Sequence, residues 1–118
     1  MFKIENDKTM KISRGERRTF KIVNKNGNFN IGDTFRLTIV EKKHYENVKF
    51  QKTYVNTRDT NEMHITLEPE DTMFCDVICK EKEYWYEIKY NDTQILVGYD
   101  EEDGEKEFVL FPTANIVE

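Results

Sequence analysis

At 118 residues the chain has room for one domain, spanning 1–118, and not for two that each bury a core of their own. Charged residues make up 35% and hydrophobic ones 37%, and no run nears the roughly 18 apolar residues of a membrane span. The opening Met1-Phe2-Lys3-Ile4-Glu5 lacks the apolar stretch of a secretory signal, so an unsecreted, non-membrane protein is expected.

The net charge of −5 conceals two unlike halves: residues 1–60 balance at +7 and residues 61–118 at −12. These charges are interspersed with apolar residues, as on the polar faces of strands, and do not form the blocks of a solvated arm. Arg14, Arg17, Arg18 and Lys21 form the densest basic stretch. A nucleic-acid surface would want a domain that is basic throughout, and the acidic half argues against one.

Alternation of period two is the main structural signal. A short strand is expected near Met10–Ile12, followed by a turn at Arg14-Gly15. Phe20 and Ile22 alternate with Lys21. After the turns Asn26-Gly27-Asn28 and Ile31-Gly32-Asp33, Phe35, Leu37 and Ile39 alternate with Arg36 and Thr38. Val48, Phe50 and Tyr54 share a parity with Lys52 in a weaker segment. Met63, Ile65 and Leu67 alternate with His64 and Thr66.

Pro69-Glu70-Asp71 then has the chemistry of a helix start, and Phe74, Val77 and Ile78 fall at helical spacing. This predicts a short helix over about 69–79 that plugs one open end of the fold. Tyr84, Tyr86, Ile88 and Tyr90 alternate with Trp85, Glu87 and Lys89 up to a tight hairpin at Asn91-Asp92. Ile95, Val97 and Tyr99 follow, then a turn over Asp100–Gly104, then Phe108 and Leu110. The pattern predicts an all-β, antiparallel two-sheet sandwich or barrel of seven to eight strands. Its core is expected to hold Phe20, Phe35, Leu37, Ile65, Tyr84, Tyr86, Ile88 and Val97.

Candidate chemistry is sparse. Ser13 is the sole serine and lacks a glycine elbow, and neither His44 nor His64 stands in a motif with a nucleophile. The five glycines form no phosphate loop, so no enzyme and no small-molecule substrate are expected. Cys75 and Cys79 are read as reduced thiols, too few for a zinc site, and no cofactor or metal is expected. The run Asp100-Glu101-Glu102-Asp103-Gly104 has its glycine one place too early for a calcium loop and reads as a hairpin tip.

Several motifs line up in order: Ser13-Arg14-Gly15-Glu16, then Thr19-Phe20-Lys21-Ile22, then Gly32-Asp33 before Thr34–Ile39. Pro69-Glu70-Asp71-Thr72 and Tyr84-Trp85-Tyr86-Glu87-Ile88 complete the set. Together they resemble the immunoglobulin-like β-sandwich domain of phage and prophage tail and baseplate proteins. The resemblance covers residues 9–111. It departs at Lys80-Glu81-Lys82-Glu83, where the family has a Pro-Gly turn, and at the end, where Glu107-Phe108-Val109-Leu110 replaces a Gly-x-Phe motif.

The resemblance implies a non-enzymatic virion component of the tail, neck or baseplate, assembled in the bacterial cytoplasm, that contacts other virion proteins. The alternative is a carbohydrate or host-surface binding module with Trp85 and the tyrosines as its platform. Trp85 is expected on the outer face of a sheet. Basic Arg14, Arg17 and Arg18 and acidic Asp100, Glu101, Glu102 and Asp103 are the other candidate partner contacts. If the two charged groups face different sides, copies can stack basic side to acidic side as a homo-oligomer.

Overall fold

The computed structural model describes residues 1–75 and 80–113. Among them are nine strands: β1 (Phe2–Ile4), β2 (Met10–Ser13), β3 (Arg18–Val23), β4 (Thr34–Glu41), β5 (His44–Val55), β6 (Glu62–Leu67), β7 (Lys82–Tyr90), β8 (Gln94–Val97) and β9 (Glu107–Phe111). One sheet runs β1-β2-β9-β7-β4-β5, with β8 also paired to β7, and a second sheet pairs β3 with β6. The mostly-β expectation holds. The extra strand is β1, a three-residue edge piece too short to show alternation.

Antiparallel pairing was expected throughout, and one ladder departs from it. β2 runs parallel to β9, with Met10 opposite Phe108 and Ser13 opposite Phe111. Parallel neighbours need a long crossover. Here nearly the whole chain supplies it, and period-two alternation carries no information about such a pairing.

The two sheets share one core. Phe35, Leu37 and Ile39 from β4 meet Tyr84, Tyr86 and Ile88 from β7, Met10 and Ile12 from β2, and Phe108 and Leu110 from β9. Met63, Ile65 and Leu67 come from the smaller sheet, while Phe20, Ile22 and Val97 are half-buried against the cluster. Phe29, which lies between turns, is also buried and sets its ring edge-on to Phe35 at 5.0 Å.

The helix expected over 69–79 is corrected. Pro69–Thr72 forms one 3₁₀ turn, and Met73, Phe74 and Cys75 leave it. The Asp71 carboxylate closes the turn by accepting the Glu68 amide at 2.8 Å and the Lys52 ammonium at 3.1 Å. Phe74 then turns inward between Phe50 and Tyr84, at 6.3 and 5.2 Å. Val77, Ile78 and Cys79 lie outside the described residues.

Two ladders slip register. The β4–β5 pairing shifts between Ile39 and Val40, so Phe50 opposes inward Ile39 while Val48 opposes Val40 on the other face. The shared parity read for Val48 and Phe50 is corrected by this bulge, since an extra residue reverses side-chain facing. The β7–β8 ladder slips between Ile88 and Lys89. Val97 therefore pairs with core Ile88, and Ile95 pairs with outward Lys89.

Candidate functional site

Two regions collect the candidate residues. The first is a junction between motifs far apart in sequence. Gly15, in left-handed backbone at φ +80°, donates its amide to the buried Thr72 hydroxyl at 2.6 Å. A Cβ there would come within 3.0 Å of the Met73 methyl, so the close approach and the positive φ both favour glycine. Arg17 pairs with Glu68 at 2.7 Å, joining the same two turns.

Arg14 belongs to this junction and not to the surface. It is 6% exposed, and its guanidinium donates twice to the Cys75 carbonyl, at 3.3 and 3.1 Å. Its expected role as an exposed partner contact is corrected: a buried guanidinium needs acceptors, and the chain beyond the 3₁₀ turn presents one. Arg17 and Arg18 remain exposed, and Arg18 pairs with Glu16.

The acidic loop lies at the opposite end of β9. Arg14 donates its amide to Phe111 at the end of that strand, whereas residues 100–105 precede its start. Asp100 and Gly104 close the loop through reciprocal backbone bonds of 3.2 and 2.9 Å. Buried Lys106 anchors it, its ammonium donating to Asp100 at 2.6 Å and to the Gly104 carbonyl at 3.1 Å. That contact leads the causes holding the Asp100 carboxyl below its ordinary range. Glu101, Glu102 and Asp103 are exposed at the tip.

The second region is a cleft of about 290 Å³ on the outer face of the large sheet. β4 and β7 pave its floor in register: Val40 opposite Trp85, Thr38 opposite Glu87, and Arg36 opposite Lys89. β5 adds Tyr45, Val48 and Gln51, and the segment beyond β8 adds Gly98, Tyr99 and Glu105. Trp85 is half-buried, with the Tyr45 ring 5.5 Å away. Tyr99 is 65% exposed.

Side-chain bonds fix the polar part of the cleft. Gln51 donates to Thr38 at 3.0 Å, and Arg36 is tethered to Asp92 at 2.7 Å. Burial, with the adjoining Glu105 carboxylate, pushes the Tyr45 hydroxyl above its ordinary range. Trp85 stands on the face its parity predicts. Tyr45 escaped the sequence reading because it follows a hairpin turn. The alternation read through Ile95, Val97 and Tyr99 is corrected: the strand ends at Val97, the ladder slips within it, and Tyr99 lies exposed beside the cleft.

The chain matches no family model, no curated protein and no solved structure.

Proposed function

We propose that this chain is an immunoglobulin-like module of the phage or prophage tail and baseplate type, working through protein contacts in a virion and not through catalysis. The observation that carries this reading is the Gly15–Thr72 junction. The Arg-Gly-Glu and Pro-Glu-Asp-Thr motifs, which bear the resemblance, are hydrogen-bonded to each other across 57 residues. Motifs that meet in space behave as one structural signature, which chance similarity of two short segments would not require.

Strand order supports the same reading. The run β2-β9-β7-β4-β5 parallels the A′GFCC′ sheet of an immunoglobulin domain, and β3-β6 parallels its B and E strands. Exposed Arg17 and Arg18, each already paired with a carboxylate of its own chain, follow the turn at one end of β9, and an acidic tip lies at the other. These two poles are where the module would stack on further copies or on another virion protein.

The test is to purify particles from the induced lysogen that encodes the chain and to quantify it by mass spectrometry. The chain is expected to co-purify at a fixed ratio to the major tail protein. Recovery in the particle-free fraction alone overturns the proposal.

A further inference from the structure

We infer that the cleft around Trp85 is a binding site for a neutral saccharide, one or two pyranose rings in extent. The inference is independent of where in a particle the chain resides. The volume of about 290 Å³ falls just below the ~300–1,000 Å³ of small-ligand sites, which suits a compact ligand.

The lining divides into the two parts a sugar requires. Trp85, Tyr45 and Tyr99 supply aromatic faces, against which the C–H face of a pyranose can lie. Beside them stand Arg36 and Lys89 against Glu87 and Glu105, two charges of each sign. An anionic or cationic ligand would meet a like charge at once. A sugar hydroxyl, being one donor and two acceptors, can use both kinds of partner.

Other occupants fit the lining and position less well. Single-stranded nucleic acid stacks on aromatics within a positively charged groove, and the charges here balance. Strand addition needs an open sheet edge, whereas this cleft crosses the middle of the sheet, where β4 lies between β5 and β7.

The backbone is also shaped for this cleft. Both ladders that slip border it: the shift between Ile39 and Val40 turns Val48 outward into the lining, and the segment just past the slipped β7–β8 pairing brings Gly98 and Tyr99 to its edge. Bulges concentrate beside functional sites because they re-aim side chains. At Gly98 a Cβ would stand 2.7 Å from the Ile95 side chain, so the wall there is kept to bare backbone.

Trp85 is the chain's single tryptophan, so intrinsic fluorescence reports on this site alone. The protein is titrated with neutral mono- and disaccharides of glucose, galactose, N-acetylglucosamine and rhamnose. At least one is expected to shift the emission saturably. Tyr99→Ala, an exposed change that leaves the fluorophore in place, should weaken that sugar about tenfold with unchanged thermal stability. Absence of any shift up to the solubility limit of every sugar overturns the inference, as does an affinity that Tyr99→Ala leaves untouched. An emission change that follows protein concentration without sugar, and is lost in Tyr99→Ala, assigns the face to a second copy and also overturns it.

Discussion

The Tyr90 hydroxyl donates to the carboxylate of Asp33, joining the end of β7 to the turn that precedes β4. Asp33 is buried and also receives the Asn30 amide at 2.8 Å and the Asn91 carboxamide at 3.2 Å. The Tyr90 bond leads the causes holding its carboxyl below the ordinary value of 3.8, against the opposing effect of burial. A lowered folded-state pKa gives stability that is present above the unfolded value and fades as pH falls through the folded one. Thermal unfolding followed from about pH 7 to about pH 2 should show this acid loss, and Asp33→Asn should show a shallower one. Parallel acid limbs for the two proteins would remove the carboxylate from the account.

The junction of the two turns is expected to act as a structural lock. Thr72→Val leaves the Gly15 amide without its acceptor in a buried place and should cost about 1–3 kcal/mol, while Thr72→Ser should recover most of that. Gly15→Ala should cost about 1–2 kcal/mol from left-handed backbone alone, with further loss from the approach to Met73. Urea unfolding of the three variants measures these differences.

Leu37 and Tyr86 sit in the shared core at 1% and 5% exposure. Truncating either to Ala should cost about 2–5 kcal/mol, as large core deletions do. The outward neighbour is expected to behave differently. Trp85→Ala removes a half-buried ring from the other face, so circular dichroism should show a retained fold and a smaller loss of stability.

Association through the two poles should depend on salt. Exposed charges are screened beyond roughly 8–10 Å at physiological ionic strength. Sedimentation should therefore show larger species at low salt that dissociate as salt rises, and charge reversal at the exposed acidic tip, Glu101→Lys with Glu102→Lys, should abolish them. A monomer at both salts and high concentration would rule out self-stacking and leave contacts with a different protein as the way the proposed module acts.

The faces of the central strands were legible because alternation reports burial directly: Phe35, Leu37, Ile65 and Tyr84 are all buried on the parity their polar neighbours imply. Where a ladder slips, the same rule misleads. Val48 shares sequence parity with Phe50 and faces the other way, because register is a property of two strands and not of one. Arg14 fails as a surface residue for a related reason, since its acceptor at Cys75 lies 61 residues away. Within the described residues 69–75 the expected helix is a single 3₁₀ turn, because Phe74 is drawn inward to Phe50 and Tyr84, tertiary partners invisible to local spacing. Of the cleft, the floor from β4 and β7 (Arg36, Thr38, Trp85, Glu87 and Lys89) follows from the outward parity, whereas Tyr45, Val48 and Tyr99 arrive through turns and bulges whose geometry the residue pattern does not encode.

The parallel ladder between β2 and β9 also sets an order of events in time. Met10 cannot meet Phe108 until β3 to β8 have all been made, several seconds or more at roughly 5–20 residues per second. Until then β2 has only β1 beside it, and a lone two-stranded ribbon is marginal in water. That ribbon sets Lys3 opposite Lys11, whose ammonium pairs with Glu5 at 3.2 Å, and a lysine on the edge strand repels stray strands. The residues of β1 and β2 thus settle late, and this sheet closes only when β9 arrives to hold them.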